Sequence, residues 1–417
     1  MASRLRASGR RSVAEYAGHA HRHPPRGADG LPLRTPLARW PRESPVGSVL
    51  DSLGILRRWD VCILPANPDN SRAGASRRGP AHYTDRVTFD NGRGIFAPAD
   101  THSTPIVSNT PSVVQSLAAH SGVPFSVEFN PPRDAAGEAR LWRTVREFER
   151  MHPAFVSMTY GAGGSTKDRT VRITGELATE TTLLPVAHLT AVGHSIDELR
   201  ALVGSYADCG IRNLLVLRGD PPGDPLGEWT KHPEGVEYAD ELVRIVRDLG
   251  DFHVGVASFP QGHHRSPDLD TDTRFLAAKL RAGAEYSITQ MFFDVDHYLR
   301  LRDRVVAMDP IEGAKPIIPE LMPITSLRTV ARAEELCGRP LGKSVMERLT
   351  RAAGTGPEED KAAVRAEGIE IATEMAQRLI AEGAPCLHFI TLNFAKATGE
   401  VLANLGYGVT AAPARIA

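Results

Sequence analysis

The residues best suited to chemistry lie where apolar runs stop. In Phe125-Ser-Val-Glu-Phe-Asn-Pro-Pro132 a carboxyl group stands inside an apolar strand-like run just ahead of two prolines. Burial disfavours the ionised form, so Glu128 is expected to have a raised pKa and to suit a general acid near neutral pH. A strand-end glutamate held in an ion pair is the competing reading, and the residues alone do not separate the two. Asn213-Leu-Leu-Val-Leu-Arg-Gly-Asp-Pro-Pro222 carries a buried-type strand into Arg218, Gly219 and Asp220, and the two prolines cannot donate to a ladder. Arg218-Gly-Asp220 is also an adhesion tripeptide, a poor reading at a strand end. Phe155-Val-Ser-Met-Thr-Tyr-Gly-Ala-Gly-Gly-Ser-Thr166 ends in a glycine-rich turn, fit for close approach to a flat or phosphorylated ligand or simply for a tight connection. Ser165 follows Gly164 where a P-loop needs lysine, which argues against a nucleoside triphosphate. His263-His264 have no third ligand at a diagnostic spacing, so a phosphate contact or solvent is expected there, not a metal. Gln290, in Gln290-Met-Phe-Phe-Asp294, offers an amide that can both donate and accept.

Positioning these groups requires a repeating scaffold. From Gly122 onward, strand-like runs at 125–129, 155–160, 183–190, 213–219, 253–259, 286–293, 316–324 and 387–393 alternate with amphipathic stretches at 138–151, 195–209, 236–249, 271–282, 294–308 and 326–336. Asp168 and Arg169 are expected to open a further helix. Ser195 with Glu198 forms a capping-box signature, and Gly210, Gly250 and Gly283 stand where helices end. Strands alternating with helices imply parallel β-α units. Glu128, Thr159, His188, Arg218 with Asp220, Gln290 and Asn393 fall near the carboxyl ends of six different runs. A closed barrel gathers such ends at one mouth, whereas an open sheet spreads them along an edge. The expected fold is therefore α/β, a (β/α)₈ TIM barrel over residues 121–410. The segment 339–383 forms a long charged last loop, helical at 357–380.

Residues 1–120 differ in texture. Arginine is frequent, lysine is absent before Lys167, and Pro, Gly, Ser, Ala and His fill the intervals. Such a segment buries too little apolar surface to offset ordering entropy, so a disordered N-terminal extension is expected, with short helices at 46–56 and 112–119. Residues 1–26 superficially resemble a transit peptide, but the arginine bias continues past residue 70 with no apolar periodicity, and an upstream start codon is the other explanation. The chain has 417 residues, 49 basic against 50 acidic for a net charge of −1, which offers no general attraction to nucleic acid or anionic membrane. Its four cysteines are scattered and suggest reduced thiols and a cytoplasmic location. No run of apolar residues is long enough for a membrane span.

Six segments resemble methylenetetrahydrofolate reductase in order and spacing. They are Ser126-Val-Glu-Phe-Asn-Pro-Pro132, Val156-Ser-Met-Thr-Tyr-Gly-Ala162, Ala187-His-Leu-Thr190, Leu217-Arg-Gly-Asp-Pro-Pro222, Ile288-Thr-Gln-Met-Phe-Phe-Asp294 and His388-Phe-Ile-Thr-Leu-Asn393, within residues 121–408. The resemblance implies an FAD-containing barrel that reduces 5,10-methylenetetrahydrofolate to 5-methyltetrahydrofolate with NADH or NADPH in a ping-pong cycle. It implies Glu128 as the acid toward N10 of the folate, Asp220 against both flavin and pterin, and Gln290 serving pterin and nicotinamide in turn. Thr159, Tyr160, Ala162, His188, Arg218, Gly219, Asp220, Tyr238, Ala239, Phe259, His263, Asp272 and Lys279 occupy positions that resemble FAD contacts. The partners expected are these small molecules and further copies of the chain. Four positions depart from the family's habit. Phe259 replaces a frequent tyrosine, Phe275 an asparagine that touches the cofactor, Glu320 a glycine, and Phe394 an arginine that meets the folate's glutamate tail. A region binding S-adenosylmethionine is not found, so no feedback inhibition by that molecule is expected. The departures leave two other readings, a flavin-poor relative passing hydride directly from NADH and a non-catalytic folate-binding subunit.

Overall fold

The computed structural model describes residues 110–160, 164–221, 227–356 and 359–408, with backbone alone at 164–167. The helix expected at 46–56 lies outside these residues. The strands are β1 (Phe125–Phe129), β2 (Val156–Met158), β3 (Pro185–Thr190), β4 (Asn213–Leu217), β5 (His253–Ser258), β6 (Tyr286–Thr289), β7 (Ile317–Ile318), β8 (Glu320–Leu321) and β9 (Leu387–Ile390). They form one sheet in the order β7-β6-β5-β4-β3-β2-β1-β9-β8, and every pairing is parallel.

Pro319 has no N–H to give and divides what the apolar pattern reads as one run. Its two halves serve different neighbours, β7 pairing with β6 and β8 with β9. Together they are the seventh strand of a nearly closed (β/α)₈ barrel, and the split occurs where the ring would otherwise finish.

The helices are α1 (Val113–Ala118), α2 (Ala135–Glu149), α3 (Gly164–Glu180), α4 (Ile196–Asp208), α5 (Ala239–Asp248), α6 (Leu269–Arg281), α7 (Val295–Met308), α8 (Leu327–Cys337), α9 (Lys343–Ala353), α10 (Lys361–Ala381) and α11 (Ala395–Asn404). Local sequence explains their starts. Ser195 and Glu198 form the expected reciprocal cap of α4, and Asp134, Asp268 and Ser326 cap α2, α6 and α8. Helix α3 begins at Gly164, earlier than Asp168, so Asp168 and Arg169 lie within its first turns. The loop after α8 contains two helices, α9 and α10.

Side chains alternate across each strand. Val127 and Phe129 face outward and join Leu141, Val145 and Phe148 of α2 in the layer between sheet and helices. Complete burial of a phenylalanine such as Phe129 or Phe148 contributes roughly 1.5–3 kcal/mol. A second cluster fills the floor of the barrel with Phe155, Val186, Leu215, Tyr286, Ile288, Ile318 and Cys386. Helix α1 seals that floor with Val113 and Leu117. Its entry is fixed by Asn213, which accepts the Val113 N–H at 3.1 Å and donates to the Pro111 carbonyl at 3.0 Å. Residues 112–119, read from composition as a local helix within the extension, thus pack on the barrel. Gly255 makes room for the floor's tyrosine, since a Cβ there would lie 2.3 Å from the Tyr286 ring. With the floor filled, open space is left at the carboxyl ends of the strands.

Candidate active site

A cavity of about 1070 Å³ opens at that end. Strand alternation aims Ser126 and Glu128 of β1 into the barrel, and register sets Ser157 of β2 beside Glu128 and His388 of β9 beside Ser126. Glu128 is buried, with its Oε2 3.6 Å from His188 Nε2 and 4.0 Å from His388 Nε2. Burial pushes the Glu128 carboxyl up to about 8. Both imidazoles are pushed down to about 3, also by burial, with His188 adding to the effect at His388. Near neutral pH these contacts therefore join neutral groups, and the ion-pair reading of Glu128 is set aside. The pocket resists ionisation of this carboxyl.

His388 is fixed from below. Its Nδ1 meets Ser126 Oγ at 2.7 Å, its Nε2 meets Ser157 Oγ at 3.3 Å, and its ring stacks on Phe155 at 5.4 Å. His188 Nε2 is buried and has no hydrogen-bond partner among the described residues, an uncompensated polar atom on the cavity wall.

Beyond β4 the chain turns at Gly219, φ +81°, where a Cβ would come within 2.6 Å of Val192 Cγ1. Only glycine suits both the angle and the space. The ladder thus stops before the prolines to which its end was ascribed. The Arg218 guanidinium stands over the Trp229 ring, 4.5 Å from its centre, and Trp229 Nε1 donates to the Gly219 carbonyl. The Asp220 side chain is 60% exposed, with Arg265 4.0 Å away. Thr159 accepts from Asn130 Nδ2 at 3.0 Å, and the Tyr160 hydroxyl, pushed up to about 12 mainly by burial, lies 3.3 Å from His194 Nε2. The His263 amide donates to Asp272 Oδ1 at 3.0 Å. The His263 ring stands edge-on to Phe259 and stacks on His264, and burial, then His264 and nearby cations, push it down to about 3. Lys279, half-buried, donates to the Ala257 carbonyl and is pushed down to about 8 by desolvation. Tyr238, at the N-cap of α5 beside Ala239, stacks on Phe275 at 5.6 Å. Gln290 Oε1 accepts from the Met291 amide at 2.9 Å.

Glu128, Thr159, Tyr160, His188, Arg218, Gly219, Asp220, Tyr238, Ala239, Phe259, His263, Asp272, Lys279 and Gln290 all line this one cavity. Ala162 lies outside the described residues. Asn393 does not line the cavity. In a left-handed conformation, it accepts from the Asn130 amide and donates to the Asn130 carbonyl, tying the end of β9 to that of β1.

The methylenetetrahydrofolate reductase family model matches residues 113–406, which is the barrel together with its floor helix. The chain belongs to the methylenetetrahydrofolate reductase family. It is 34% identical over 295 residues to the 5,10-methylenetetrahydrofolate reductase of Escherichia coli, covering 70% of this chain and 94% of that one. It is 33% identical over 288 residues to methylenetetrahydrofolate reductase 1 of Schizosaccharomyces pombe, and 31% identical over 304 residues to methylenetetrahydrofolate reductase (NADH) 1 of Arabidopsis thaliana. The chain spans 46% and 50% of those two proteins' lengths.

Within this reductase-family barrel, the departures at 259, 275 and 320 lie on the cavity wall. Phe394 is 57% exposed beyond β9, with the Arg140 guanidinium 5.2 Å over its ring. Trp229, which supports Arg218, and the buried His388 were not singled out for roles by sequence. Trp229 follows a run of turn residues with no pattern to mark it, whereas His388 sits in a quoted motif and needed only the strand's inward face to be known.

Proposed function

We propose that this chain reduces 5,10-methylenetetrahydrofolate to 5-methyltetrahydrofolate with FAD as resident cofactor and NAD(P)H as electron donor. The observation that carries the reading is Glu128, a buried carboxyl with its pKa raised to about 8, on the wall of a cavity that also holds Asp220 and Gln290. A neutral acid beside the folate's N10 can donate a proton as the five-membered ring opens, and the developing cation is then the electron acceptor.

The residues present fit FAD. A cavity of about 1070 Å³ is at the upper end of small-ligand sites and suits a dinucleotide together with a second ligand. Arg218 and Lys279 offer cations for a pyrophosphate, the turn at Gly219 brings backbone close to the cavity, and His188 Nε2 lacks a partner that a bound group can supply. When bound, FAD supplies a two-electron store that lets the nicotinamide and the folate use the site in turn. Asp220 places a carboxylate beside that group, which favours its role as a donor. The Gln290 amide, able to donate and accept, suits pterin and nicotinamide successively. The name of the Arabidopsis relative makes NADH the first donor to try.

The test is spectroscopic. The purified protein is expected to be yellow, to bleach when NADH is added without oxygen, and to regain colour with 5,10-methylenetetrahydrofolate. A colourless protein that still oxidises NADH with the folate would replace this reading with direct hydride transfer, and one that does neither would leave a binding protein.

A further inference from the structure

Glu320 is a second buried carboxyl in the same pocket. Because Pro319 breaks the seventh barrel strand, β8 pairs with β9, and Glu320 lies opposite His388 in the ladder. Its amide donates to Thr289 Oγ1 at 3.0 Å, holding it against β6. One oxygen of Glu320 lies 3.9 Å from His388 Nε2, and one oxygen of Glu128 lies 4.0 Å from the same nitrogen. The ligand-type atoms of Glu128, Glu320 and His388 all lie within 4.8 Å of one another. His188 from β3, His388 from β9 and the Cys337 thiol of α8 face the pair. On that helix Arg332 and Glu335 also line the cavity, exposed and ion-paired to each other at 2.7 Å.

We propose that Glu320 is a positioning residue for the reaction's proton, forming with Glu128 a carboxyl pair that still holds one proton at pH values where a solitary Glu128 would be fully ionised. Two carboxyls this close in a desolvated pocket cannot easily both ionise, because the charge of the first to ionise holds the proton on the other. Burial and then the charge of Glu128 accordingly drive Glu320 well above the ordinary carboxyl range. When Glu128 has given its proton away, the Glu320 O–H bond breaks as a Glu128 O–H bond forms, the two carboxyl groups standing within 4.8 Å of one another. Glu320 does not need to touch the folate. The inference rests on Glu128 being the acid of the proposed reaction.

Two measurements on the intact, cofactor-loaded protein test it. The first is an infrared titration of the protonated-carboxyl band, assigned with Glu128→Gln and Glu320→Gln. About half of the band should vanish near pH 8, and the remainder should persist to clearly higher pH as a separate step. Loss of the whole band in one step overturns the pair, and this result decides the matter even if Glu320→Gln does not fold. The second is the pH profile of the folate step. From about pH 7 to about pH 9, Glu320→Gln should lose at least about fivefold more rate than the parent, with Glu320→Asp recovering part. Flavin reduction by NADH should keep one profile in all three proteins. Superimposable folate profiles also overturn the proposal. Two infrared steps without any folate turnover would refute the proposed function and leave the pair standing, whereas one step with turnover intact would refute the pair alone.

Discussion

At the scale of single residues the site depends on desolvation, and the sign of each shift has a consequence for stability. Glu128 binds its proton more tightly in the folded chain than in the unfolded one, its pKa rising from 4.5 to about 8. Its contribution is therefore fully present below about pH 4.5 and lost as pH climbs through about 8. His188 and His388 work in the opposite sense. Their pKa values fall from 6.5 to about 3, so their contribution is present above 6.5 and lost as pH falls toward 3. Glu128→Gln, which keeps the shape without the titration, should raise the melting temperature at pH 8 relative to the parent and leave it nearly unchanged at pH 4.5. Thermal scans at the two pH values check this, and an equal shift at both would show that the effect is not ionisation. The raised pKa of Glu128 was legible in sequence because a carboxyl inside an apolar strand must be either paired or neutral. The partnership with Glu320 was not legible. Which way residue 320 points depends on a strand broken at Pro319, and the break changes which neighbour sets its register.

At the scale of elements, the alternation of apolar runs and amphipathic stretches was enough to place the strands and most of the helices. Strand ends were read too long, as at 286–293 against Tyr286–Thr289, because the apolar character of Met291 and Phe292 continues into buried loop positions. Helix α1 was visible as a local helix, but its docking on the barrel was not, since Asn213 reaches it across a hundred residues of chain. The same long-range logic governs Gly255. Its absence of side chain has no local cause within β5 and is explained only by Tyr286 on the neighbouring strand. Gly255→Ala should destabilise the barrel by about 1–3 kcal/mol through overpacking of its floor. Urea unfolding followed by circular dichroism checks this. A midpoint equal to the parent's would mean that Tyr286 moves aside at little cost.

At the scale of the whole molecule, the barrel converts scattered sequence positions into one working volume. Of the fifteen positions to which the family resemblance gives a folate, flavin or nicotinamide contact, fourteen line a single cavity and Ala162 lies outside the described residues, because parallel strands closing on themselves bring their carboxyl ends together. Asn393 shows the limit of that rule. A polar residue near a strand end can instead join two loops, and sequence pattern does not distinguish the two uses. Under the proposed function the nicotinamide and the folate use this mouth in turn, so a defect at Glu128 should harm one half of the reaction and spare the other. The direct test is to reduce the Glu128→Gln flavoprotein with NADH in the absence of oxygen, add 5,10-methylenetetrahydrofolate, and follow the flavin absorbance. Bleaching by NADH at the parent's rate, followed by recovery slowed roughly 10²–10⁴-fold, is the predicted result. Recovery at the parent's rate would contradict it.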